Sequence, residues 1–311
     1  MESGQSLQRR IRSVKNIGQI TKAMELVAAT KMRRSQEAAL NSRPYAYAAL
    51  ELLGLLSKME DVPMPELLKA RPVEKTAFLL MTSDKGLAGS FNGAVIRRFE
   101  SYIRENGIDI HDPRYSFVAI GQKAKTYLER KGVNVILAFI RVGDLMKMKD
   151  ADPIASALIE GYVNHEFDSV MAFFTTFVTA LRQDAVVREF LPISYEKIKE
   201  SIEETIPRAG RYSEYAKSES FFDEKDLKFI IEPAPAQVLA ELAPQLLKIR
   251  IYHMILEANA SEHSARRVAM KNASDNASDL GETLNVVYNK QRQAAITNQI
   301  IEVTSGTTAV N

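Results

Sequence analysis

The sequence predicts an α/β protein with long terminal helices, in which the two chain ends pair as an antiparallel coiled coil and the stretch between them folds as a compact domain. Three observations predict it. Apolar residues near the start recur at steps of three and four, the spacing that lines one face of a helix. The end of the chain repeats that spacing and contains no proline after Pro244. Between the two, the pattern changes to short apolar runs separated by helical stretches, as in a sheet covered by helices.

The N-terminal segment, residues 1–60, has Leu7, Ile11, Val14, Ile17, Ile20, Met24 and Val27 as its predicted inner face. Pro44 is the only proline before position 63, and a bend or break is expected there because its ring disfavours helical geometry at Arg43 and removes a backbone donor. A helix of about 50 residues would run ~75 Å, too long for one domain core to cover, so it needs a long partner. Residues 232–311 supply one. Ala273, Ala277, Leu280, Leu284, Val287, Gln291, Ala294, Asn298 and Ile301 alternate steps of four and three, the seam of a coiled coil. The stretch "QITKAMELVAATKMRRSQEA", with Gly18 just before it, has Ala, Thr and Gly at inward positions as often as Leu. Small side chains let two helices lie close, and a slim, smooth rod fits inside something.

The middle, residues 74–231, reads as a small Rossmann-like α/β domain. "KTAFLLMTSD", "SFVAIG" and "SVMAFFTTFV" are buried strands, and "AVVREFLPI" is a strand hairpinned to the third. Helices are expected over Asn92–Asn106, Gln122–Arg130 and Asp152–His165. The polar stretch from Ser201 to Lys228 reads as surface.

Composition excludes several function classes. Hydrophobic residues at 46% and charged ones at 26% of 311 residues are ordinary globular material. There is no cysteine, which removes disulfides, thiolate metal sites, cysteine nucleophiles and thiol switches. No apolar run approaches the roughly 20 residues of a membrane-spanning helix. A net charge of +2 is too mild for a protein that coats nucleic acid. The basic start, with Arg9, Arg10, Arg12 and Lys15, continues into the same helical pattern and reads as mature structure, not as a targeting segment.

No catalytic constellation is visible. "TSDKGLAGSFN", Thr82 to Asn92, places glycines between a strand and a helix, where free amides attract anions. It has neither phosphate-loop spacing nor G-x-G-x-x-G, so a tight turn is the better reading. His111, His165, His253 and His263 form no metal motif, and His253 with Glu257 reads as a solvated i,i+4 pair. Arg9 to Arg34 contains eight Lys and Arg against Glu25 alone, which is either a solvated face or a surface for an acidic partner. No aromatic is interleaved to stack on bases, so nucleic acid is disfavoured.

The opening "RRIRSVKNIGQITKAMELVAATKMRRSQEA", the loop "TSDKGLAGSFN" and the closing "SEHSARRVAMKNASDNASDLGETLNVVYNKQRQAAITNQIIEVTSGTTA" resemble the γ subunit of F-type ATP synthase, over essentially the whole chain. The resemblance implies a central rotor shaft inside a ring of α and β subunits, with the α/β domain against the ε subunit and the membrane c-ring. It couples ion flow to ATP synthesis or hydrolysis and carries no catalytic site, cofactor or metal of its own. It places Lys22, Met24, Lys31 and Arg33 where the shaft meets the moving acidic levers of β. Arg292, Gln293 and Thr297 correspond to a catch on an acidic β loop. Gly18 and Gly281 depart from the larger side chains usual in the family and are expected to soften the helices, each costing roughly 1 kcal/mol against Ala. The absent Cys means no dithiol insertion of the chloroplast kind, and the cytoplasmic face of a bacterial inner membrane is the expected location. Two other readings remain open at this point: a soluble nucleotide-binding α/β enzyme with a coiled-coil dimerisation arm, and a coiled-coil nucleic-acid scaffold.

Overall fold

The structure is a computed structural model and describes residues 4–57, 63, 65–143, 146–192 and 231–308. The polar stretch from Ser201 to Lys228 lies outside the described residues. In chain order the elements are α1 (Gly4–Ser57), a 3-10 turn (Glu66–Leu68), β1 (Thr76–Met81), α2 (Phe91–Glu105), β2 (Tyr115–Ile120), α3 (Gln122–Lys131), β3 (Val135–Phe139), α4 (Met148–Val163), β4 (Ser169–Phe177), β5 (Gln183–Leu191) and α5 (Pro235–Thr308). The chain divides into two compact units, Met1–Ala28 with Arg266–Asn311, and Ala29–Ala265.

The larger unit holds a five-stranded sheet in the order β3-β2-β1-β4-β5, parallel except for the β4–β5 hairpin. Apolar runs such as "TAFLLM" suit the central strand because both of its faces are covered. Phe78 and Leu80 of β1 pack with Val95 and Phe99 of α2 and Leu128 of α3. Ala77, Leu79 and Met81 face the opposite way, toward α4 and toward Leu53 of α1 and Leu246, Ile251 and Ile255 of α5. Alternation along one strand thus separates two cores.

Three expectations need correction here. The helix assignment runs through Pro44 without a break. Ala39 and Leu40 before it and Ala46, Ala49 and Leu53 after it are buried, and burial of that extent outweighs the roughly 3 kcal/mol that an interior proline costs. The edge strand β3 was absent from the expected set; its run "VILAF" is wholly apolar, but it is only five residues long and half-buried, and a run that short is not separated from a helical segment by periodicity. Helix α4 begins at Met148 and not Asp152, because the Asp150 carboxylate accepts the Lys147 backbone amide at 2.8 Å and caps the first turn.

The smaller unit is an antiparallel helix pair. Within it, Gly4 lies beside Tyr288, Val14 beside Gly281 and Gly18 beside Ala277, a descending register that defines two oppositely directed helices. Along one row of α1 the side chains that leave solvent are Leu7, Ile11, Val14, Thr21, Glu25 and Ala28, with Gly18 in the same row and Met24, as expected, half-buried beside it. On α5 they are Met270, Ser274, Ala277, Leu284, Tyr288 and Gln291, with Gly281 in the same row. Both rows alternate steps of four and three, the heptad rule. The expected seam was wrong in part: Ile17, Ile20 and Val27 of α1, and Leu280, Val287, Ala294, Asn298 and Ile301 of α5, are exposed. Gly18 and Gly281 both lie in the seam. A methyl group at Gly18 would sit 3.4 Å from the Ala277 Cβ. At Gly281 a methyl would lie 3.9 Å from Val14 Cγ1, an ordinary contact. Gly281→Ala is therefore expected to stabilise the pair by roughly 0.5–1 kcal/mol through helix propensity, read as a higher melting midpoint by circular dichroism. An unchanged or lower midpoint would show that the glycine is needed for the crossing.

Candidate functional site

The "TSDKGLAGSFN" turn is engaged within the fold. Thr82 Oγ1 accepts the Ala124 amide at 2.6 Å, the Ser83 carbonyl accepts that of Lys123 at 3.1 Å, and Asp84 Oδ1 accepts that of Gln122 at 2.9 Å. These are the first amides of α3, and the protein itself satisfies them. Asn92 closes the turn by accepting the Ser83 amide at 2.9 Å. The turn is a clasp between β1 and α3. His253 and Glu257 are buried, not solvated as expected, and His253 Nε2 lies 2.8 Å from Ser42 Oγ of α1. Among the described residues no three potential metal ligands cluster. No helix among them is long and apolar enough to cross a membrane.

What distinguishes the molecule is the outer surface of the smaller unit. Glu25 is buried in the seam and accepts a bond from Lys22 Nζ at 2.9 Å. That bond holds Glu25 below the usual carboxylate range, against its desolvation, with Arg267 and Lys271 of α5 adding to the effect. Lys22 is raised in turn by Glu25, with Asp275 of α5 contributing. Of the residues placed at the lever contact, Lys22 is thus tied to an intrahelical acid, while Met24 is half-buried beside the seam. Lys31, half-buried, and Arg33, exposed, belong to the larger unit. Arg292, Gln293 and Thr297 are all exposed. Gln293 and Thr297 share a helix face, and the Thr297 hydroxyl donates to the Gln293 carbonyl at 2.9 Å.

Sequence reasoning missed a second apolar stripe, having assumed a smooth surface with little to stick. Ile17, Ile20 and Val27 share one face of α1 and are each more than half exposed, and Val286, Ile296 and Ile300 on α5 are 70%, 43% and 59% exposed. Part of its signal was present in Ile17, Ile20 and Val27, which were assigned to the seam; Val286, Ile296 and Ile300 were assigned to neither face. A row of this kind on a soluble surface marks an interface.

The family model described as ATP synthase matches residues 3–310. The chain is 36% identical over 310 residues to the ATP synthase gamma chain of Pelotomaculum thermopropionicum, with 100% of each chain covered. It is likewise 36% identical over 312 residues to the gamma chain of Roseiflexus castenholzii, covering 100% of this chain and 99% of that one. In fold it is similar to a chain in the rotor of Euglena gracilis mitochondrial ATP synthase, with a TM-score of 0.57 at 15% identity, covering 94% of this chain and 98% of that one. A match of this extent to full-length gamma chains, joined to a heptad-paired helix unit and a five-stranded α/β unit, places the chain in the ATP synthase gamma chain family.

Proposed function

We propose that this chain is the central rotor shaft of an F-type ATP synthase. Ion flow through the c-ring turns it, and its rotation drives sequential ATP synthesis or hydrolysis in the surrounding ring of α and β subunits. The observation that carries this reading is the outward apolar stripe of the helix pair, which a sleeve of partner subunits would cover and water would not. Residues 1–60 and 232–311 supply the shaft, and residues 74–231 the foot against ε and the c-ring. The chain works as a non-catalytic subunit attached to the membrane-bound complex, on the cytoplasmic face of a bacterial inner membrane. An asymmetric rod changes nucleotide affinity only by touching chemically identical sites differently. The nucleotide-binding alternative is not favoured, since the chain matches gamma chains over its full length.

In this reading Lys22, Met24, Lys31 and Arg33 meet the β levers, and Arg292, Gln293 and Thr297 form the catch. The test is reconstitution with α and β subunits. One copy per ring and ATP-driven rotation are expected, whereas a chain that stays outside the ring and binds nucleotide alone would overturn the reading. Charge-assisted bonds of about 1.5–3 kcal/mol are lost in Arg292→Ala, so rotation should slow roughly tenfold. Met24→Lys, which puts a charge at a half-buried position, should lower ions pumped per ATP hydrolysed by roughly twofold or more. Unchanged values would remove these residues from the contact.

A further inference from the structure

Helix α5 is gripped from opposite sides within the larger unit. On one side Arg250 donates to the carbonyls of Phe190 at 3.0 Å and Glu189 at 2.7 Å, Ser261 to that of Thr175 at 3.4 Å, and Ser264 to that of Ala180 at 2.6 Å. All four acceptors lie in β4, β5 or their connecting turn. On the other side Tyr252 donates to the Met146 carbonyl at 3.3 Å and Asn259 to the Gly143 carbonyl at 3.2 Å, both in the segment after β3. At about 100° per residue, Arg250, Ser261 and Ser264 fall within about 60° of one another, and Tyr252 and Asn259 fall roughly opposite.

Apolar contacts are non-directional, so a helix bedded in Leu and Ile side chains resists lifting far better than rolling. Hydrogen bonds on one side alone would leave a line about which the helix could pivot. Bonds on two opposed sides resist a roll in either direction. A roll of about 10° moves a group ~5 Å from the axis by ~1 Å, enough to break a hydrogen bond.

We propose that this opposed set of donors is a torsional clamp, the place where α5 is prevented from turning about its own axis, with Asn259, Ser261 and Ser264 as positioning residues. The proposal rests on the rotor reading above. The clamp gives twist in the α/β unit a rigid entry into α5, the helix that continues to Thr308 and carries Arg292, Gln293 and Thr297.

The test is the thermal angular fluctuation of a probe on the α/β unit in the assembled complex, with the α/β ring immobilised and the rotor stalled. The chain has no cysteine, so Lys85→Cys provides a single exposed attachment point. The triple variant Asn259→Ala, Ser261→Ala, Ser264→Ala leaves two of the five clamping side chains, and restraints in parallel add, so the variance should rise about twofold. Ser264→Thr, which keeps the hydroxyl, should match the parent. A lowered melting midpoint with unchanged variance would show a merely structural role and overturn the clamp. If the triple variant fails to incorporate, Asn259→Ala alone must raise the variance in the same direction, and no rise overturns the proposal. A parent chain that incorporates but does not rotate overturns the rotor reading itself, and the clamp with it.

Discussion

Gly121→Ala should be among the most damaging single substitutions in the α/β unit. Gly121 joins β2 to α3 at φ +90°, and a Cβ there would lie 2.1 Å from the Thr82 carbonyl oxygen. Two costs add. An L side chain in this backbone region is strained by roughly 1–2 kcal/mol, and the clash is with backbone, which cannot rotate away as a side-chain tip can. Relief would separate Gly121 from Thr82 and loosen the clasp in which Thr82, Ser83 and Asp84 hold the first amides of α3. A loss of at least about 3 kcal/mol is expected, seen as a melting midpoint lowered by about 10 °C with falling soluble yield. A midpoint within a degree or two of the parent would mean that β2 and α3 can shift apart freely, and the clasp would lose its role.

Asp168→Ala should cost a similar or larger amount, roughly 3–5 kcal/mol. Asp168 Oδ1 accepts from Arg71 Nε at 2.8 Å, and its Oδ2 accepts the amides of Lys75 and Glu74 at 3.0 and 3.1 Å. Arg71 also donates to the carbonyls of Tyr162 and Phe167, both at 2.8 Å, and its guanidinium lies 4.2 Å from the Tyr162 ring centre. Both side chains are mostly buried, at 16% and 12% exposure, so removing the acid leaves two amides unpaired and Arg71 with Glu66 as its only acidic partner, in a longer, more exposed contact at 3.4 Å. Burial pushes the Asp168 carboxyl up, but the Lys75 and Glu74 amides and the Arg71 charge prevail and hold it below its ordinary value. The linkage has one sign. The folded-state value is the lower one, so the contribution is complete above the unfolded value of about 4 and is lost as pH falls through the folded value. Urea melts of parent and variant should therefore differ fully at pH 7 and converge in acid. A gap that stays constant down to strongly acid pH would assign the stabilisation to shape and not to charge.

The strands β1, β2 and β4 were legible because their apolar runs are long and largely buried, β5 was legible as the return arm of a hairpin, and the glycine turn was legible as a turn. Edge strand β3 was not, since its run "VILAF" is apolar but only five residues long, too short for periodicity to tell a strand from a helical segment. The bonds of Arg71, Arg250 and Asn259 were equally invisible: each joins residues sixty or more positions apart, most of them through backbone carbonyls that every residue carries. Family membership was legible in the terminal blocks and is borne out by the full-length relatives.

The sequence by itself determined that the chain ends are helices, that they pair with heptad spacing, and that an α/β sheet lies between them. Only the tertiary structure decided which side of each helix is the seam. After Val14 the hydrophobic choice is Ile17 and the observed one is Gly18; before Leu284 the hydrophobic choice is Leu280 and the observed one is Gly281. Both rows satisfy steps of three and four, so periodicity alone cannot separate them. Two backbones approach most closely where side chains are smallest, and which small residues face each other depends on the register of the partner helix. The seam therefore runs through glycine, and the larger apolar side chains are left outward, on the surface where a sleeve of partner subunits can cover them.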